Sequence, residues 1–149
     1  MEVKKILCAV DLEDTIAPSV EYAKMMASMT GASILVAYVI PAHTPYEDVY
    51  LSVNNQPNEV NNPNETIQKS MNALLAEQFA GMDATGVILV GRPSEELVKL
   101  AEEKGANLIV MGTHGRAGFD LLLFGSVAHE VVRAAPCPVM TVRPLMPKK

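Results

Sequence analysis

The sequence predicts an α/β domain built on an open, doubly wound parallel sheet of five short strands. Three observations carry this. Apolar runs of four to seven residues recur along the chain, amphipathic segments with three- and four-residue spacing follow them, and turn residues separate the two. Runs without strict alternation are expected of strands covered on both faces, and parallel neighbours joined by helices require right-handed crossovers.

The first strand is Ile6-Leu7-Cys8-Ala9-Val10. Asp14 or Thr15 can then cap a helix whose first turn holds Pro18, with Val20, Ala23 and Ala27 on one face and Gly31 as its stop. Ile34 to Ile40 is the second strand. Residues 41–63 interrupt the pattern with Pro41, Pro45, Pro57 and Pro63 and five asparagines, so they read as a surface insertion, with Tyr46, Val49 and Tyr50 offering a short helical turn as the alternative. Periodicity returns over roughly 64–80 through Ile67, Met71, Leu74, Leu75 and Phe79. Val87 to Val90 is the third strand. Ser94 stands where a helix cap belongs, Glu95 and Glu96 suit the first turn, Leu97, Leu100 and Ala101 face inward and Gly105 ends the helix. Leu108 to Met111 is the fourth strand, a last helix runs from about Ser126 to Ala134 before Pro136, and Cys137 to Arg143 is the fifth strand. No internal repeat or linker appears, so one domain is expected over residues 1–149.

A chain of 149 residues with 49% apolar and 19% charged residues can bury a core without staples. Its net charge of −5 gives no electrostatic footprint for nucleic acid or an anionic membrane. No run approaches the roughly 20 apolar residues of a membrane span, and the N-terminus lacks a signal-peptide pattern, so the expected location is cytoplasmic. Cys8 and Cys137 have no partner at metal-ligand spacing and are expected as buried, reduced thiols.

The chemistry-bearing pattern lies between the fourth strand and the last helix. Gly112-Thr113-His114-Gly115 is followed after nine residues by Gly125-Ser126. Glycines allow close backbone approach, and a helix N-terminus offers unpaired N–H groups with partial positive charge. Together they suit an anion, phosphate above all; ordinary turn glycines and a plain serine cap are the alternative. Arg116 can add a charge-assisted contact or remain solvated. His114 has no nucleophile partner that spacing can argue, so it is counted with the loop and not as an acid–base group. The segment Ala117 to Phe124 is apolar and reads either as an interface or as an early start of the last helix. There is no Gly-x4-Gly-Lys-Ser/Thr phosphate loop, and the first turn, Asp11-Leu12-Glu13-Asp14, lacks a dinucleotide fingerprint.

The spacing Gly112-x2-Gly115-x9-Gly125-Ser126, with Val139 and Val142 in the closing strand, resembles the nucleotide-binding signature of the universal stress protein family. The resemblance extends to the first strand with Asp11, to Val39, and to Val90-Gly91-Arg92-Pro93, covering the chain apart from its insertion. It implies an adenine nucleotide alpha-hydrolase-like fold with strand order 3-2-1-4-5, whose switch point between the first and fourth strands is where ligands of open α/β sheets bind. It further implies ATP as ligand, possible company of Mg²⁺ or Mn²⁺, and a stress-response sensor or switch. In this picture Gly112, Gly115, Gly125 and Ser126 surround the phosphates, and His114 and Arg116 are counted with the binding loop between them. Asp11, Val39 and Met111 meet the adenosine, although Asp11 could instead cap the first helix. Arg92 borders the site. The apolar last strand, Cys137 to Arg143, would pair with its twin in a homodimer. Weak hydrolysis, or a nucleotide-independent interaction role, are the other functions open to such a chain.

Overall fold

The computed structural model describes residues 2–12, 18–41, 63–113 and 121–143, with backbone alone at 63–64 and 121–126. The elements are β1 (Lys5–Ala9), α1 (Pro18–Thr30), β2 (Ser33–Pro41), α2 (Pro63–Gln78), β3 (Ala84–Gly91), α3 (Pro93–Lys104), β4 (Leu108–Gly112), α4 (Leu121–Ala134) and β5 (Val139–Val142). All strand pairs are parallel and the order is β3-β2-β1-β4-β5, the doubly wound arrangement expected.

The burial pattern follows from that order. Ile6, Leu7 and Cys8 of the central β1 are wholly buried, as are Ile109 and Val110 of β4. Alternate strand residues divide between two cores. Ile6, Cys8, Ile34 and Val110 pack with Val20, Ala23 and Ala27 of α1 and Met71 and Leu74 of α2. Leu7, Ala37, Val39, Ile109 and Met111 pack with Leu97, Leu100 and Ala101 of α3 and Ala128 and Val131 of α4. Apolar runs are therefore continuous because both faces of the sheet are covered.

At the amino edge, Asn107 fixes β1 against β4. Its Oδ1 accepts from the amides of Lys4 and Lys5 at 2.8 and 2.9 Å, and its own amide donates to the Lys5 carbonyl at 2.8 Å. Gly105 ends α3 in the left-handed region at φ 67°, as its place after the last apolar residue predicts.

Four boundaries differ from the sequence reading. Pro93 occupies the first position of α3, for which its fixed φ is suited. Arg92 is therefore at the cap without a side-chain bond, and Ser94 lies inside the helix. Its hydroxyl, 5% exposed, donates to the Glu130 carboxylate of α4 and ties the two helices together. The last helix begins at Leu121, five residues earlier than expected, because Leu121-Leu122-Leu123 are strong helix formers that propagate it towards the loop. The fifth strand shortens to Val139–Val142, since neither Pro136 nor Pro138 has an amide to donate. The third strand lengthens to Ala84–Gly91 because β2 offers it a partner along its whole length. Asp14, Thr15 and the insertion residues 42–62 lie outside the described residues.

Both cysteines are free. Cys8 is wholly buried among the α1–α2 core, whereas Cys137 is only half-buried and packs on the α3–α4 side, correcting the expectation that both are buried. Burial pushes the Cys8 thiol up from 9.0 to about 12 and raises Cys137 as well.

Two predictions test this packing. A Cβ at Gly86 would stand 2.6 Å from Met71 Cγ and 2.9 Å from its Sδ, so α2 rests on β3 through the missing side chain. Gly86→Ala should cost about 1–3 kcal/mol of unfolding free energy in a urea titration; an unchanged midpoint would contradict that packing. The raised Cys8 pKa contributes nothing below about pH 9, where both states hold the proton. Between there and about pH 12 the unfolded chain releases a proton that the folded chain keeps, so stability falls as pH rises. At pH 8 a thiol reagent should modify native Cys137 ahead of Cys8, and both only after denaturation; equal native reactivity would refute the burial argument.

Candidate functional site

The strand ladder brings the carboxyl ends of four strands level. In the pairing of β1 with β2, Ala9 lies opposite Ala37, and the Val10 amide continues the ladder to the Ala37 carbonyl at 2.9 Å. Two residues further on, Asp11 stands level with Val39. On the other side Cys8 lies opposite Val110, so Val10 reaches the level of Gly112 and Asp11 that of Thr113. Gly112 in turn lies opposite Val142. Because β2 and β4 flank β1, this is the point at which the winding reverses, the place where open α/β sheets take their ligands.

Side-chain alternation decides which residues share a face. Val10 and Leu12 pack on the α1–α2 core, and Ala9 on the α3–α4 core. Asp11, between Val10 and Leu12, therefore belongs to the α3–α4 side, together with Val39 and Met111. Val39 is 7% and Met111 2% exposed, so both are core residues at the apolar base of the strand ends. Asp11 and Gly112 are half-buried, and Asp11 is already engaged within the fold. The strand ends thus supply an acceptor carboxylate, an apolar base and a glycine without a side chain at the carboxyl edge of the sheet.

The phosphate half of the expected site is only partly within the described residues. His114, Gly115 and Arg116 lie outside them, as does the loop up to Asp120. Gly125 and Ser126 are five and six residues into α4 by its own count, and not ahead of it. A helix bonds its amides to carbonyls four residues back, so the Gly125 and Ser126 amides are taken by the carbonyls of Leu121 and Leu122, and the amino end of the helix lies at Leu121, at this same edge of the sheet. That moves the available helix dipole from Ser126 to Leu121. The Thr113 amide is also taken, donating to the Val142 carbonyl at 3.1 Å. Sequence reasoning quoted Thr113 but gave it no task; its place in the ladder became visible only with the strand register.

The border formed by Gly91 and Arg92 is held from below. Gly91 has φ 151°, and a Cβ there would stand 2.8 Å from Glu96 Oε1, so the Glu96 side chain packs against the glycine. Arg92 Nη1 reaches Glu95 Oε1 at 3.3 Å in a solvated i, i+3 pair, a contact of small stability value. A separate open groove of about 360 Å³ lies between α3 and α4, lined by Ser94, Val98, Lys99, Glu102 and Glu130 among others. It is on the helix flank and contains none of Asp11, Val39, Met111 or Gly112, so the strand ends and not this groove are the candidate site. Among the described residues no group of three or more histidine, cysteine, aspartate or glutamate side chains could hold a metal, and no helix is long and apolar enough to cross a membrane.

Comparison with known proteins bears on this geometry. The model of the universal stress protein family matches residues 2–143. Universal stress protein MJ0531 of Methanocaldococcus jannaschii is 33% identical over 150 residues, covering 98% of this chain and 84% of its own. The solved structure of MJ0577 aligns with a TM-score of 0.76 at 25% identity, over 99% of this chain and all of that one. A universal stress protein from Archaeoglobus fulgidus, solved in complex with dAMP, aligns with a TM-score of 0.59 at 25% identity over 95% of this chain and 98% of that one.

Proposed function

Because the chain belongs to the universal stress protein family, we propose that it binds an adenine nucleotide, ATP foremost, across the carboxyl ends of β2, β1 and β4. Binding serves as a nucleotide-dependent switch in a cytoplasmic stress response. The observation that carries the reading is the level placement of Asp11, Val39 and Thr113, one residue beyond Gly112, at the winding reversal. The dAMP complex of the Archaeoglobus fulgidus relative supports the class of ligand.

Each residue then has a physical task. Asp11 accepts from a ribose hydroxyl or the adenine amino group. Val39 and Met111 give the base an apolar floor and backbone partners. Gly112, with His114, Gly115 and Arg116 in the loop beyond and Gly125 and Ser126 in α4, surrounds the phosphates, to which the first turn of α4 presents its dipole. A chain of net charge −5 repels a polyphosphate at long range, so a divalent cation, Mg²⁺ or Mn²⁺, would ease binding by neutralising it. The edge of β5 is the surface for a homodimer, since an unpaired apolar edge invites a second strand. The proposal is for binding; slow hydrolysis would be a further property of the same site.

One observation favours a second reading. With α4 starting at Leu121, the amides of Gly125 and Ser126 serve the helix, which suits an interaction protein that retains the glycines without using nucleotide. Calorimetric titration of purified protein with ATP and Mg²⁺ separates the two, with sedimentation of the same sample reporting the dimer. The switch reading expects saturable binding, weakened about 10- to 100-fold by Asp11→Ala through loss of a charge-assisted hydrogen bond, and a dimer. No binding to wild-type protein, and no adenine nucleotide released on denaturation, would leave the interaction reading; a monomer would remove the β5 pairing.

A further inference from the structure

The carboxyl edge carries two described cations, Arg92 and Arg143. Arg92 makes a solvated pair with Glu95 at 3.3 Å and stands at the end of β3, beyond β2. Arg143 is exposed, and no described residue forms an ion pair with it. The ladder fixes where it stands. Gly112 lies opposite Val142, and the Thr113 amide bonds the Val142 carbonyl, so Arg143 is level with Thr113 on the neighbouring strand. Alternation along β5 fixes its side. Val139 packs on the α3–α4 core, while Met140 and Val142 pack on the α1–α2 core. The next step carries Arg143 to the α4 side of the sheet, the side of Asp11, Val39 and Met111.

Strands are about 4.8 Å apart, so Arg143 stands about 5 Å from Thr113 and about 14 Å from the level of Val39. A nucleotide with its base over β2 and β1 and its phosphates running past β4 would bring its outer phosphates to β5. The remaining described cations are elsewhere: Lys4 and Lys5 are at the amino edge, and Lys24, Lys69, Lys99, Lys104 and Arg133 are on the helices.

We propose that Arg143 is a specificity-determining residue that pairs with the outer phosphates and makes the site prefer a nucleoside triphosphate to a monophosphate. This rests on the nucleotide reading above. Arginine suits the task because its planar fork can meet two phosphate oxygens at once and remains charged at every working pH. In an acidic protein such a charge also offsets the repulsion that a polyphosphate meets on approach.

Calorimetric titrations with ATP and with AMP, on wild-type protein, Arg143→Gln and the control Lys99→Gln, decide the matter. Arg143→Gln should weaken ATP about tenfold and AMP no more than about twofold. Its melting temperature should match wild type, and added salt should weaken ATP binding less than it does in wild type. Lys99→Gln should leave both affinities unchanged. Equal ATP affinity in Arg143→Gln and wild type overturns the role of Arg143 while leaving the nucleotide reading standing. Equal losses for ATP and AMP overturn it too, because they report a general disturbance and not phosphate discrimination. Wild-type protein that binds neither nucleotide overturns the nucleotide reading and this proposal together.

Discussion

The parallel ladder between β1 and its two neighbours is the constraint on which the rest of the molecule depends. Register in a parallel sheet is set by backbone hydrogen bonds, and a slip of one residue would exchange the faces of every side chain on the strand. Here two cores, one on each side, would both lose their packing in such a slip. Asn107 adds a second lock at the amino edge by bonding the amides of Lys4 and Lys5. With the register held, Asp11, Val39, Thr113 and Arg143 have no freedom to reach different levels at the opposite edge. The site's geometry is in this sense a by-product of core packing several residues away.

The same constraint explains a division of labour along each strand. Ile6 to Cys8 and Leu108 to Met111 are buried or nearly so, and polar character begins only where the ladder ends, at Asp11 and at Gly112-Thr113. The strand bodies supply the packing, and the polar groups sit at their tips. The helices follow suit: α3 and α4 cover the face that Asp11 shares, and the buried hydroxyl of Ser94, bonded to Glu130, ties them to each other. That bond joins the helix after Gly91-Arg92 to the helix after the glycine loop.

Much of this was legible in the amino-acid sequence, for a physical reason. Strands covered on both faces must be apolar throughout, and amphipathic helices must repeat their apolar residues, so Ile6 to Val10, Met71 to Phe79 and Leu97 to Ala101 announce themselves. Strand order did not follow from pattern and came with the family likeness, because pairing is a long-range choice. Ser94 was misplaced because a serine beside acidic residues satisfies the rule for a cap, whereas Pro93 takes the first helical position and turns the serine inward. Gly125-Ser126 resembles a helix boundary, but the leucines before it compete for the helix, and the early start that Ala117 to Phe124 offers as one of two readings is the one α4 takes. Thr113 drew no role and Arg143 only a place in the expected dimer strand, since neither type is distinctive alone and only the register places them beside Gly112 and Val142. His114, Gly115 and Arg116 lie outside the described residues.

The most direct measurement of the central claim is a map of backbone amide chemical shifts by NMR as ATP and Mg²⁺ are added to isotope-labelled protein. The account expects the largest changes at Asp11, Val39, Gly112 and Thr113, with Lys5 and Asn107 at the opposite edge unmoved. Changes centred on Val98, Lys99 and Glu102 in the α3–α4 groove, or no changes at all, would contradict it.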